Sequence, residues 1–207
     1  MDTLKFLFIA CLLLLSACAP KPSSTDAFMD SSKPLNTLKP TDEVNGKIAP
    51  TAVTSWELNG MIAGKNAHKG WSATINWLQE GPQQYQIRLL GPLGGGTLLI
   101  QKRAGIVTFT DGPKRDSSRN ADQLLLKHTG IRLPVQNLYY WTRGLKAPGA
   151  VQSANYDSNH HLTSLIQSGY AIHFTDYTTI NHVDLPRKIQ LQGQDTSIKL
   201  VVSKWRI

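Results

Sequence analysis

A run of three glycines, two adjacent histidines and two isolated serines mark where this 207-residue chain could do chemistry. The segment Gly91-Pro92-Leu93-Gly94-Gly95-Gly96 lies between apolar runs, and glycine-rich loops can cradle phosphates through their backbone N–H groups. No Gly-Lys-Ser/Thr follows, however, and Gly96 leads into strand-like residues instead of a helix. Phosphate and dinucleotide binding are therefore not indicated. His160 and His161 are neighbours, and neighbouring residues on a strand face opposite ways, so the pair is a poor start for a metal site. Solvated histidines beside a turn are the expectation, with no metal and no cofactor. Ser164 and Ser168 lack the G-x-S-x-G elbow that arms a serine nucleophile. No acidic pair suggests general acid–base work, and the chain is expected not to be an enzyme.

The glycines read as a hairpin turn, with glycine supplying positive φ and Pro92 a fixed φ before it. That leaves Leu93, which has no polar neighbour until Thr97. It either folds back on the core or points outward, and the residues alone leave both open.

The N-terminus says where the chain lives. Lys5 precedes an apolar run from Phe6 to Leu15, too short for a spanning helix of about 20 residues and suited to a secretory signal. The run ends in Leu15-Ser16-Ala17-Cys18, which resembles a bacterial lipobox. Residues 1–17 would then be a cleaved lipoprotein signal, and Cys18 the mature N-terminus bearing a diacylglycerol and an N-acyl chain. Two or more chains anchor stably where one does not. Ala19, where an aspartate would retain a lipoprotein on the inner membrane, favours the outer membrane. Cys11 would leave with the signal, so no disulfide is available and the fold must rest on an apolar core.

Residues 18–50 comprise this cysteine and a Ser-, Thr-, Lys- and Pro-rich stretch expected to be a flexible tether. Residues 1–50 hold five lysines and five acidic residues; taking these from 22 and 14 leaves 17 basic against 9 acidic in 51–207. The whole excess of positive charge belongs to that domain, which suits an acidic partner or anionic lipid. No nucleic-acid motif appears.

Residues 51–207 are long enough for one domain with a real core. Short alternating runs dominate: Trp71, Ala73, Ile75 and Trp77 share one face, as do Tyr85, Ile87 and Leu89. Period-two alternation indicates strands with one dry face, and short gaps between them suit an antiparallel meander. Similar runs occur at 54–64, 96–102, 105–112, 161–167, 170–177, 187–193 and 196–205. Two helices interrupt them. Ser117 or Ser118 can cap one that stops at Gly130, and Pro134 opens a second that ends near Gly144. The expected fold is mainly β, a large curved antiparallel sheet whose two short helices cover a face or plug an end.

The motifs now become recognisable. W-x-L-x-G at 56–60, G-W-S-A-x-x-x-W-x-Q at 70–79 and L-x-G-P-L-G at 89–94 come in order, then L-L-x-x-x-x-G-x-x-L-P-V at 125–135, L-x-x-W-x-x-G-x-x-A-P at 138–148 and Leu185-Pro186-Arg187. With the lipobox, this succession resembles the LolB family across essentially all of 51–207. The resemblance implies an open half-barrel with an α-helical lid over a hydrophobic cavity. It also implies a monomeric receptor, lipid-anchored in the inner leaflet of the outer membrane and facing the periplasm. Such a receptor takes lipoproteins from the carrier LolA and inserts them into that membrane. It makes Gly91, Pro92, Leu93 and Gly94 a protruding membrane-insertion loop with Leu93 exposed. Candidates for the acyl-chain cavity are Ile75, Trp77, Tyr85, Ile87, Leu89 and Leu98 on strands, with Leu124, Leu138 and Trp141 on the helices. For each, plain core packing explains burial equally well. Carrier docking would fall to Lys102, Arg103, Lys114, Arg115, Arg187 and Lys188. The rival reading is an envelope lipoprotein that binds a lipid or glycan in a structural role, with no need of an exposed Leu93.

Overall fold

The computed structural model describes residues 43–44, 46–66, 69–92, 96–130 and 134–207. Cys18, Leu93 and Gly94 lie outside them. Thirteen strands and two helices follow in chain order. They begin with a two-residue hairpin, β1 (Glu43–Val44) and β2 (Lys47–Ile48), then a single 3-10 turn at Pro50–Ala52. A meander follows: β3 (Trp56–Asn66), β4 (Gly70–Glu80), β5 (Gln84–Leu90), β6 (Thr97–Arg103), β7 (Ile106–Asp111) and β8 (Lys114–Ser118). The helices α1 (Ala121–Thr129) and α2 (Val135–Trp141) come next. A second meander closes the chain: β9 (Val151–Tyr156), β10 (Leu162–Gln167), β11 (Tyr170–Ile180), β12 (Val183–Gln192) and β13 (Thr196–Arg206).

Apart from the β1–β2 hairpin, the strands form one 11-stranded antiparallel sheet, ordered β8-β7-β6-β5-β4-β3-β13-β12-β11-β10-β9. The two meanders join where β3 pairs with β13. The outermost strands β8 and β9 do not pair with each other, so the sheet stays open as expected. Two strands of this sheet lie outside the expected runs. β8 reads KRDSS and β9 reads VQSANY, polar edge strands held by backbone pairing with one neighbour each.

The alternation read along β4 and β5 is the burial pattern observed: Ala73, Ile75, Trp77, Tyr85 and Ile87 are buried, and Ser72, Thr74 and Arg88 exposed. Two glycines on β3 let the sheet close up. A Cβ on Gly60 would lie 2.1 Å from the Val201 carbonyl, beside a register shift in β13, and one on Gly64 would lie 2.6 Å from the Trp71 indole. Aromatic packing centres the core: Trp56 sits 4.9 Å from Trp77 and 5.5 Å from Trp205, centroid to centroid.

Both helices stand where expected, with one correction. The N-cap of α1 is Asn120, whose side chain accepts from the Gln123 N–H; Ser118 instead accepts from the Asn120 N–H, and neither serine caps the helix. Asparagine caps as well as serine does, and the strand β8 runs through Ser118, which fixes the later start. Gly130 ends α1 with φ of 71°. The last residues of the expected tether are not free of the domain either. The Ile48 N–H donates to the His182 carbonyl, and the Pro50 carbonyl accepts from Arg143.

Candidate functional site

The inner face of the sheet is apolar because alternation aims the large side chains of β3 to β6 and of β12 and β13 one way. The helices lie across it and leave small apolar voids among the described residues. One, of about 60 Å³, is lined by Ile62, Trp71, Ile75, Trp77, Ile87, Leu89 and Ile100 from strands and by Leu125, Val135 and Leu138 from the helices. Another, of about 20 Å³, lies beneath Leu138, Trp141 and Thr142 and is floored by Ile62, Ile75, Trp77, Ile189, Leu191, Ile198 and Leu200.

Six of the nine residues singled out for an acyl cavity thus share these walls: Ile75, Trp77, Ile87, Leu89, Leu138 and Trp141. Leu98 and Leu124 pack into the surrounding core and line neither void. Tyr85 lines a separate, more polar cavity of about 250 Å³ with Gln79, Gln83, Lys102, Val135 and Tyr139. Sequence reasoning passed over Ile62, Trp71, Ile100, Leu125 and Val135. It also passed over the floor from β12 and β13, although alternation in GTLLIQK, RKIQLQG and TSIKLVV carried the signal.

The polar anchors of α2 cluster at its C-terminal end. The Trp141 indole N–H donates to Gln167 Oε1 at 2.9 Å, and the Gln167 side chain also bonds both backbone groups of Ala147. Arg143, 2% exposed, donates to the carbonyls of Tyr139, Pro50 and Val53 and lies over the Tyr139 ring. Burial lowers the affinity of its guanidinium for the proton below the ordinary value. Nearer the start of α2, the Val135 N–H donates to Asp122 Oδ1 at 3.1 Å, the Asn137 side-chain amide to Ser168 Oγ at 2.9 Å and the Tyr139 hydroxyl to the Thr54 carbonyl. Helix α1 is tied to β8 by Lys127 and His128, both on the Asp116 carboxylate, with the His128 ring stacked on Phe109.

A few buried donors on this face have no partner among the described residues: the indole N–H groups of Trp56 and Trp71 and the hydroxyl of Tyr85.

The glycine loop follows β5. The Gly91 N–H donates to the Gly96 carbonyl and closes its base, and Pro92 is exposed. Beside it on the outer face, Met61 and Leu90 are 54% and 41% exposed and flank Thr74 in register. These two were not anticipated.

The histidine expectation needs correcting. His161 is half-buried, its Nε2 2.8 Å from Asp184 Oδ2 and its Nδ1 3.1 Å from Asp157 Oδ2, with its ring stacked on Tyr177. Asp184 also accepts from Lys47 at 2.5 Å and Thr179 at 2.6 Å. Burial works to raise the Asp184 carboxyl, but the bonds from His161, Lys47 and Thr179 outweigh it and hold it at about 2. This polar clasp pins the entering chain to β12 at the rim of a recess of about 500 Å³. No group of three or more His, Cys, Asp or Glu among the described residues is arranged to hold a metal.

The six basic residues do not form one patch. Lys102 and Arg103 end β6, whereas Lys114 and Arg115 begin β8 at the far end of β7, roughly 15 Å away at about 3.3 Å per residue. Arg187 and Lys188 lie on β12, where Lys188 pairs with Asp176.

The family model for outer membrane lipoprotein LolB matches residues 54–205. A protein named outer-membrane lipoprotein LolB from Coxiella burnetii (strain RSA 493 / Nine Mile phase I) is 37% identical over 155 residues, 74% of this chain and 73% of that one. Its namesake from Pseudomonas fluorescens is 35% identical over 156 residues, 75% and 76% of the two chains. Another, from Pseudomonas paraeruginosa, is 33% identical over 202 residues, 97% and 95%. Among solved structures, a LolA superfamily protein from Nitrosomonas europaea superimposes with a TM-score of 0.47 at 10% identity, covering 74% of this chain and 86% of that one.

Proposed function

The chain belongs to the LolB family of outer-membrane lipoproteins, and from that we propose that it is a receptor, not an enzyme, which accepts lipoproteins from the carrier LolA and passes them into the outer membrane. The observation that carries this reading is the apolar inner face, covered among the described residues by two short helices. Acyl chains are its natural occupants.

The voids as they stand hold no chain, since 60 Å³ is about two water volumes. Cargo enters by displacing the helices. Withdrawing Leu124, Leu125, Val135 and Leu138 from the sheet costs roughly 6–12 kcal/mol at about 1.5–3 per side chain. Ten methylenes of an acyl chain return roughly 8 kcal/mol. The exchange is close to balanced, as a protein that must both take and release its cargo requires. The polar anchors at Trp141 and Arg143 hold the C-terminal end of α2, so its start at Val135 is the end that lifts.

Release needs contact with the bilayer. Leu93 enters it from the loop at 91–94, and the exposed Met61 and Leu90 rest on the same surface. One leucine contributes only about 1.5–3 kcal/mol, enough to orient the domain. The acyl chains on Cys18 anchor it to the inner leaflet, facing the periplasm. The basic residues meet the carrier at separate points and chiefly speed encounter.

The test mixes this protein with cargo-loaded LolA and then with liposomes, following a labelled lipoprotein. We expect passage to this protein and on to liposomes, with Leu93→Glu still accepting cargo but retaining it. Cargo that stays on the carrier would favour a lipid or glycan binder of another role.

A further inference from the structure

Tyr85 carries a cost that none of the described residues repays. It is 8% exposed, and its hydroxyl is buried without a partner among the described residues. A phenylalanine would fill the same space without an unsatisfied polar group, which typically costs about 1–3 kcal/mol. Its polar neighbours show no such fault. Gln79, 1% exposed on the same cavity wall, accepts from the Trp77 indole and donates to the Gly81 carbonyl. The Tyr139 hydroxyl donates to Thr54, and Lys102 donates to Gln83 at 2.9 Å.

The cavity that Tyr85 lines measures about 250 Å³, room for roughly eight waters at about 30 Å³ each. That suits a small polar head and is far too little for long hydrocarbon chains. Val135 lines both this cavity and the 60 Å³ apolar void, so the two spaces share a wall at the end of α2 that lifts. Burial foremost, then the charge of Asp122, pushes the Tyr85 phenol above its ordinary value, so the group stays protonated and can donate.

We infer that this cavity is a subsite for the ester or amide carbonyl of an acylated ligand, with the Tyr85 hydroxyl, shut away while α2 is seated, donating to that oxygen once the start of α2 lifts and the chains run past Val135 onto the inner face. The inference rests on the reading that the inner face takes acyl chains. A carbonyl is the first polar group met on leaving an acyl chain. It accepts and does not donate, so it matches a donor that has no acceptor among the described residues.

The test uses the full chain loaded with the apolar fluorophore diphenylhexatriene, displaced either by dioctanoylglycerol or by dioctylglycerol, the ether that keeps the chains and lacks the carbonyls. The wild-type protein should prefer the ester by about fivefold, the scale of one buried hydrogen bond. In Tyr85→Phe, which keeps the ring, that preference should vanish while ether displacement is unchanged. Equal displacement by both lipids in the wild type, or a full ester preference surviving in Tyr85→Phe, would overturn the subsite and leave the acyl-chain reading standing. Displacement by neither lipid would overturn both.

Discussion

The clasp at Asp184 and the inner face beneath the helices are built on opposite rules. At the clasp, Lys47, His161 and Thr179 converge on one carboxylate, and Asp157 takes the second imidazole nitrogen. At the inner face, the walls are apolar, voids are left unfilled, and the donors of Trp56, Trp71 and Tyr85 lack partners among the described residues. A satisfied polar network fixes one arrangement, whereas an incompletely filled apolar face loses little by exchanging its contacts for others. The contrast separates what holds this molecule together from the face we propose it uses. Arg143 lies at the junction, tying the end of α2 to the entering chain.

The largest effect should come from breaking that junction. Arg143→Met leaves the carbonyls of Tyr139, Pro50 and Val53 without their donor, and urea unfolding should show a loss of about 3 kcal/mol. A loss under about 1 kcal/mol would mean that α2 is held mainly by its apolar contacts, and the contrast would dissolve.

Leu138→Ala acts on the other region and sharpens the comparison. Joining both voids should cost about 2.5 kcal/mol of stability. Binding of short-chain lipids, followed by fluorophore displacement, should strengthen at the same time. Stability and binding falling together would mark Leu138 as ordinary core.

Acid reports on the clasp through the difference between Asp184→Asn and the wild type. Asp184 sits at about 2 in the folded protein against an ordinary 3.8, so the unfolded chain binds its proton first as pH falls. Its contribution is therefore complete above about pH 4 and is lost as pH drops through 2. Asp184→Asn should lower stability by about 2 kcal/mol at pH 6, and its difference from wild type should shrink as pH falls from 4 to 2. A difference that does not change with pH would remove Asp184 from the account. The smallest effect belongs to the surface. Lys188→Ala breaks an exposed pair with Asp176 and should change stability by less than about 0.5 kcal/mol in the same urea titration.

Legibility in the sequence follows the same division. Local alternation is a property of one strand, so the buried faces of β4 and β5 and the dry character of the inner face could be read from GWSATINWLQ and QYQIRLL. What depends on distant partners could not. Ile189, Leu191, Ile198 and Leu200 alternate as clearly, but that they floor the same space as Ile75 follows only once β3 pairs with β13. Edge strands β8 and β9 carry few apolar residues because backbone pairing on one side suffices to hold them. His161 was read as a solvated turn residue because Asp184, 23 residues later, is brought to it by the β10–β11–β12 meander. Tyr85 was grouped with the apolar wall, since its alternation places it there and nothing local shows that its hydroxyl goes unpartnered.

The most direct test of the central claim is to let LolA deliver a lipoprotein whose acyl chains carry a photoreactive diazirine, illuminate the complex, and map the labelled peptides. Labels on Ile62, Ile75, Trp77, Ile87 and Leu138, together with protection of these peptides from solvent, are the predicted result. Cargo that transfers efficiently while labelling only the outer face, or the recess beside the clasp, would show that the inner face under the helices is structural core and that the acyl chains travel elsewhere.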